Sequence, residues 1–472
     1  MDTQTAATAV ATGPHDVWVP DVETVFYFLM GSGITFALFL WLLVYVFGPS
    51  SYKPAQSPAD EHVQVVVMGD IGRSPRMQYH AISFAKHGYS VDLIGYKETA
   101  RHPELVGKKN VNLFALRRTP EWLEWQTGFI VLPLRVLYGS FSLFHAMAYQ
   151  TNPPSIPTFH IAMIVAWLRG STIIVDWHNY GHTIMALNRS RYNPGPHFYR
   201  YYETILGRFV GHLNLTVTDA MARQLRRSPF NISAPILTLH DRPAASFKPV
   251  HHAADREAIL SGIAETKKYA ARIASGSVKL AVSSTSWTPD EDFGLFLEAL
   301  VSYAASSPAS EIVVIVTGKG LQKAGFESLI KQLAAAGRLE KVTIMTAWLS
   351  TRDYAGLLSC ADLGVCLHKS SSGVDLPMKV VDMFGAGIPV AAYSAYESFS
   401  ELVKEGRNGC GFTDSAGLAE ILMRLMAPSG KQELAKLKRG AVEDGRKGWD
   451  EQWDEALGKA LAIIKTDQGV TR

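Results

Sequence analysis

The sequence predicts two Rossmann-like, doubly wound α/β domains facing a cleft, behind one N-terminal transmembrane helix. Three observations predict it. Residues 25–47 are uncharged and almost wholly apolar. Strand-like and helix-like segments then alternate in two successive series, the pattern of parallel sheets covered by helices. A polar, Ala/His/Lys-rich stretch at 243–279 separates the series and reads as the domain joint. At 472 residues the chain is too long for a single core, and 47% hydrophobic with 19% charged residues fits folded protein with some membrane contact.

As a helix, residues 25–47 span about 34 Å at about 1.5 Å per residue, enough for a hydrocarbon core of about 30 Å. A cleaved signal peptide needs a basic start, but Asp2, Asp16, Asp21 and Glu23 precede the span and no Lys or Arg does. Lys53, Arg73 and Arg76 follow it, so the positive-inside rule leaves residues 1–24 as a lumenal tail and puts the bulk in the cytosol. The sequons at Asn188, Asn214 and Asn231 are then expected to stay unmodified. Three cysteines without CxxC spacing (Cys360, Cys366, Cys410) argue against a disulfide framework or zinc site and fit a reducing compartment. The net charge of +3 is too small to argue for a nucleic-acid partner.

Residues 48–61, with Pro49, Pro54 and Pro58, read as a linker. Strands at 62–68, 90–94, 111–116, 172–175, 213–217 and 235–239, with a helix at 76–87, form the first domain, 62–245. Strands at 279–282, 312–317, 342–345, 363–367 and 389–392, with helices such as 293–304 and 416–426, form the second, 246–440. The tail, 441–472, belongs to a helical pattern running from 432 to 465. An apolar-aromatic stretch from Trp122 to Phe144 reads either as a core crossover helix or as an element dipping into the bilayer.

In parallel sheets, ligands bind at the carboxyl ends of strands. The first strand ends in Gly69-Asp70-Ile71-Gly72-Arg73, where glycines admit a ligand near backbone. The strand at 172–175 is followed by Asp176-Trp177-His178-Asn179. His178 is the simplest neutral-pH base there; Asp176 capping a loop beside a structural His178 is the alternative. In the second domain Lys319 can reach a diphosphate, and the loop Lys369-Ser370-Ser371-Ser372-Gly373 can hold phosphate through its amides. Asp382 can accept the hydroxyls of a ribose, with Lys379 three residues earlier as a candidate ion-pair partner.

The stretches at 175–181, 284–293 and 371–385 resemble those of the chitobiosyldiphosphodolichol β-mannosyltransferases, glycosyltransferases of the GT-B fold. The resemblance runs from about His62 to Phe412. It implies transfer of mannose from GDP-mannose to the distal GlcNAc of dolichyl-diphosphate-linked chitobiose, forming a β1,4-mannoside on the cytosolic face of the endoplasmic reticulum. This is the first mannose step of lipid-linked oligosaccharide assembly for N-glycosylation. It implies membrane lipid as a further partner and admits a complex with other glycosyltransferases of the dolichol pathway. Retaining GT-B mannosyltransferases carry two glutamates eight positions apart, where this chain has Val374, beside Asp375, and Asp382. That departure agrees with inversion.

The expected site is therefore His178 as base, with Asp70 as second choice. Lys319, Lys369, Ser372, Asp375, Lys379, Asp382 and Glu401 lie on the donor side, and Gly69, Gly72, Arg73 and Asn179 on the acceptor side. No metal site is expected: Asp290 and Asp292 match DxD only superficially, although a divalent cation such as Mg²⁺ is not excluded. A retaining α-mannosyltransferase of the same pathway and a non-catalytic membrane scaffold are the competing readings.

Overall fold

The structure, a computed structural model, describes residues 60–116, 158–187, 192–288, 291–306 and 310–461. The expected membrane span at 25–47, the aromatic stretch at 122–144, Asn188 and Asp290 lie outside the described residues. Among the described residues, no helix is long and apolar enough to cross a membrane.

The first series of elements is β1 (His62–Asp70), α1 (Pro75–Lys86), β2 (Ser90–Tyr96), β3 (Val111–Ala115), α2 (Thr158–Arg169), β4 (Ile174–Trp177), α3 (Gly181–Leu187), α4 (Gly195–Val210), β5 (Leu213–Thr216), α5 (Asp219–Arg226) and β6 (Ile236–Thr238). Two compact units divide the chain, and the smaller comprises Met1–Pro54 with Ile164–Ser171. Its described part is the end of α2 and the turn after it, where Gly170 takes a left-handed φ of 61°. The rest of the account concerns the larger unit, Ala55–Met163 with Thr172–Arg472.

The strands of the first domain are parallel but pair as two sheets, β1-β2-β3 and β4-β5-β6, rather than the single sheet expected. The two share one core, in which Val65 and Val67 of β1 join Leu213 and Leu215 of β5 and Leu239. β4 also runs two residues further than expected. Asp176 therefore lies inside the strand, because its charge is matched within the fold, as described below.

The second domain follows with α6 (Ala253–Gly262), α7 (Ala270–Ala274), β7 (Lys279–Ser284), α8 (Phe293–Ala304), β8 (Ile312–Thr317), α9 (Lys323–Ala335), β9 (Val342–Ala347), α10 (Thr351–Cys360), β10 (Leu363–Cys366), α11 (Met378–Gly385), β11 (Val390–Tyr393), α12 (Phe399–Leu402), β12 (Gly409–Phe412) and α13 (Ser415–Met426). Its six strands are ordered β12-β11-β10-β7-β8-β9. Every pairing is parallel. All six residues of β8 are buried, as a continuous apolar strand covered on both faces requires. The chain reverses its winding between β10 and β7, which opens a crevice at the carboxyl ends of those two strands.

The stretch at 243–279 is less of a joint than its composition suggests. Leu260, Ile263, Tyr269 and Ile273 are buried in the second domain's core. The tail divides its contacts. In α14 (Lys431–Gly445), Leu434 and Leu437 pack on the second domain. In α15 (Trp449–Trp453) and the π-turn after it, Trp449, Trp453 and Leu457 enter the first domain's core.

Candidate active site

Asp176 is the centre of the first-domain site. It is reached by Arg76 and His80, which share a face of α1 four residues apart. Arg76 binds it with two parallel bonds, Nε to Oδ2 at 2.8 Å and Nη2 to Oδ1 at 3.0 Å. The same guanidinium donates to the Leu239 carbonyl and to Asp241 Oδ1, each at 2.8 Å. Trp453 Nε1–H donates to His80 Nδ1 at 3.1 Å. The proton of a neutral His80 is therefore on Nε2, which lies 3.0 Å from Asp176 Oδ2 and donates to it. Burial alone would push the Asp176 carboxyl up, but the Arg76 charge, followed by His178 and the bonds from His178 and His80, holds it well below the usual carboxylate range.

His178 completes the group. Its Nε2 lies 2.8 Å from Asp176 Oδ2, and its side chain is 41% exposed against 8% for Asp176. With Nε2–H given to the carboxylate, Nδ1 keeps the free lone pair. This is an acid-oriented imidazole at a strand's carboxyl end, the arrangement of a general base.

Asp70 is placed differently. Its Oδ1 accepts from Gly72 N at 3.3 Å, Glu98 N at 3.0 Å and Thr99 N at 3.2 Å, and its Oδ2 from Thr99 Oγ1 at 2.5 Å. Burial raises its pKa, but these bonds, Thr99's hydroxyl first, bring it below the ordinary value. Such a carboxylate holds a loop; it is a weak base. Gly72 is fixed by the same packing, since a Cβ there would stand 2.5 Å from the Ala100 carbonyl oxygen. Arg73 is exposed and its Nε is 3.7 Å from Asp70. Gly69 has open space around its Cβ position.

On the donor side, buried Glu291 organises the crevice beside β7 and β10. It accepts from Thr285 Oγ1 at 2.7 Å and pairs with Lys379. Lys369 Nζ is 2.9 Å from Asp292 and 5.4 Å from the centroid of the Tyr393 ring. Asp375 takes bonds from His368 Nε2 and Ser372 Oγ, each at 3.0 Å, and from Ser370, so it shapes the serine loop from within. Lys319 is exposed, with Nζ 4.2 Å over the ring of Trp348. The Asp382 carboxyl has no hydrogen-bond partner among the described residues. Burial, then the negative charge of Asp241, pushes its carboxyl up to about 7.

Glu401, expected on the donor side, instead faces the first domain. Its carboxylate accepts from Asp219 N at 2.6 Å and Ala220 N at 2.7 Å, at the start of α5. Nearby, Thr218 Oγ1 donates to the Val374 carbonyl at 2.6 Å, and Asn179 Nδ2 to Ser371 Oγ at 3.3 Å. The loop carrying His178 thus touches the serine loop of the other domain. Asp219, His240 and Glu401 bring ligand atoms within 4.8 Å of one another. Both Glu401 oxygens are engaged by amides and Asp219 Oδ1 by Thr238, a poor donor set for a cation.

Sequence reasoning missed Arg76, His80, Asp241 and Glu291 as parts of the site. The one local signal was the four-residue spacing of Arg76 and His80, which puts both on one face of a helix.

Two parallel α/β domains meeting at strand carboxyl ends, with a tail returning to the first, make up the GT-B fold. Sucrose-phosphate synthase from Thermosynechococcus elongatus superposes with a TM-score of 0.60 at 14% identity over 86% of this chain and all of its own. HepE from Anabaena, in complex with UDP and glucose, does so at 0.57 and 14% over 84% of this chain and 99% of its own. No protein-family model matches the chain. Among sequences, it is 42% identical over 384 residues to a chitobiosyldiphosphodolichol β-mannosyltransferase from Arthroderma benhamiae, covering 78% of this chain and 85% of that one. It is 35% identical over 466 residues to the Mus musculus protein of that name, covering 90% and 94%. A protein named UDP-glycosyltransferase TURAN, from Arabidopsis thaliana, is 36% identical over 452 residues, covering 83% and 95%. The chain belongs to the chitobiosyldiphosphodolichol β-mannosyltransferase family.

Proposed function

We propose that this enzyme transfers mannose from GDP-mannose to chitobiosyl diphosphodolichol, with inversion, to give a β1,4-mannoside. The observation that carries the mechanism is the His178–Asp176 pair, set at a strand end that touches the second domain's serine loop. The acceptor hydroxyl attacks the anomeric carbon as the bond to the diphosphate breaks. His178 Nδ1 takes the hydroxyl proton, and the ionised Asp176 stabilises the imidazolium that forms. Lys319, Lys369 and Lys379 supply positive charge for the departing diphosphate, and Asp382 accepts from the donor's ribose. Ser372 and Asp375 hold the phosphate-facing loop. Asp70, Gly69, Gly72, Arg73 and Asn179 shape the acceptor side. The reaction runs on these groups with no required metal. Residues 25–47 anchor the enzyme in the endoplasmic reticulum membrane with both domains cytosolic, where other glycosyltransferases of the pathway can associate with it.

Purified full-length chain, given GDP-mannose and a chitobiosyl diphosphate lipid, should release GDP and form a β-anomer by proton NMR. An α-anomer would overturn inversion. Because one relative is named a UDP-glycosyltransferase, UDP-sugars belong in the same assay; turnover with these alone would overturn the donor assignment.

A further inference from the structure

Helix α4 carries an apolar stripe that faces solvent. Phe198, Tyr201, Ile205 and Phe209 are 70%, 70%, 43% and 65% exposed. At about 100° per residue they fall within an arc of about 80°, so they form one face. The acid of this helix, Glu203, is buried on the opposite side. Beside it, α3 buries none of its seven residues, and Ile184 and Leu187 are 47% and 48% exposed. A seven-residue helix with no buried side chain cannot hold itself in water. It is mounted on α4 instead: Glu203 accepts from Gly181 N at 2.7 Å and His182 N at 3.2 Å, and Gly181 lies against the Tyr199 ring.

We propose that the exposed α3–α4 face docks on an anionic bilayer surface. Scattered exposed apolar residues are ordinary, but an aligned set on adjacent helices marks an interaction surface. The charges choose the occupant. The charged and titratable groups exposed on these two helices are His197 and Arg200, which flank the stripe, and the phenol of Tyr201 within it; no exposed acid accompanies them, as suits anionic headgroups. The position agrees. α3 starts three residues after His178, so a bilayer at this face lies beside the acceptor side of the site. That last argument rests on the lipid-linked acceptor proposed above.

The test uses the full chain with Phe198→Cys, Phe209→Cys or, as control, Leu329→Cys on α9, each labelled with an environment-sensitive fluorophore. Labelling is selective because Cys360, Cys366 and Cys410 are buried. The proteins are placed in phosphatidylcholine–phosphatidylserine vesicles with and without brominated acyl chains. The expected result is blue-shifted emission, quenched by bromolipid, at 198 and 209 but not at 329. Water-like emission at 198 and 209 would overturn the proposal. So would blue-shifted, unquenched emission that persists in detergent, which would mean that residues 117–157 or a second copy covers the face. A second measurement is Phe198→Glu with Phe209→Glu. It should raise KM at least tenfold for an acceptor with a long polyprenyl chain and leave KM for a short-chain acceptor and for GDP-mannose unchanged. Equal loss on both acceptors would indicate a folding role and overturn the proposal. Quenching needs no turnover, so an error in the acceptor assignment would leave it standing.

Discussion

Glu401 of the second domain closes the first turn of a helix in the first: its two carboxylate oxygens accept from the amides of Asp219 and Ala220 at 2.6 and 2.7 Å. The contact places an anion at a helix N-terminus, where orphan N–H groups and the helix dipole favour it. It therefore works as a clasp between domains. Burial raises the Glu401 pKa, but the bonds from His240 and from these amides bring it below the ordinary value.

Glu401→Gln keeps the shape but removes the charge and replaces one of the two accepting oxygens with an NH2 that cannot accept. Charge-assisted bonds are worth about 1.5–3 kcal/mol against about 1 for neutral ones, so stability should fall by roughly 1–2 kcal/mol in denaturant titration. The sign with pH follows from the lowered pKa. The contribution is complete above the unfolded carboxylate pKa and is lost as pH falls through the lower folded value. The wild-type advantage over Glu401→Gln should therefore shrink only in acid; an equal difference at every pH would remove the charge from the explanation.

Arg76→Met should be strongly destabilising. It strands Asp176 and Asp241, both only 8% exposed, without their cation. Breaking a buried pair from one side costs about 3–5 kcal/mol. A chemical denaturation midpoint within error of wild type would show that the pair is not held as described.

Asp382 gives the opposite pH dependence to Glu401. Its carboxyl is raised to about 7 by burial and by Asp241. The folded chain therefore binds more protons than the unfolded one between about pH 4 and 7, and stability is lost as pH rises through that window. Asp382→Asn should remove that slope, leaving the variant more stable than wild type at pH 8 by about 1–2 kcal/mol, discounted because the carboxyl reaches solvent. Donor binding should respond the other way, since an ionised carboxylate is the better acceptor for ribose hydroxyls. GDP-mannose affinity of the wild type should rise from pH 6 to 8, and Asp382→Ala should lower it about 10- to 100-fold. Calorimetry showing unchanged donor affinity would remove Asp382 from the donor site.

The two α/β series were legible because buried parallel strands write themselves as continuous apolar runs. β8, at Ile312–Thr317, is the clearest case, with all six residues buried. β12, Gly-Cys-Gly-Phe at 409–412, escaped notice because it carries no β-branched residue and borrows its strand character from β11. Asp176 looked like the end of a strand for a different reason. Its partner Arg76 is 100 positions away in the chain, and nothing local reveals a long-range pair. His178 was legible from its position, but not the carboxylate that orients it. Glu401 is expected on the donor side, whereas its contacts with the Asp219 and Ala220 amides are set by how the two domains meet.

Asp176→Asn tests the orientation of the base. The amide is nearly the same shape but no longer carries the charge that stabilises a protonated His178 or Arg76. Turnover should fall by about 10²–10⁴ if the pair acts as argued, with GDP binding retained. Because the variant also unpairs buried Arg76, some loss of stability is expected and turnover is read on protein shown to be folded by circular dichroism; near-normal turnover of that folded protein would remove Asp176 from the mechanism.

The central claim, that His178 takes the acceptor proton, is tested most directly by the kcat of His178→Ala, measured with GDP-mannose and a chitobiosyl diphosphate lipid. His178 is part-exposed and its one hydrogen bond among those described is to Asp176, so the variant should fold. A role confined to the transition state lowers kcat without weakening donor binding. The account predicts kcat reduced by about 10²–10⁴ with GDP affinity unchanged. A folded His178→Ala enzyme that turns over at a near-normal rate would contradict it.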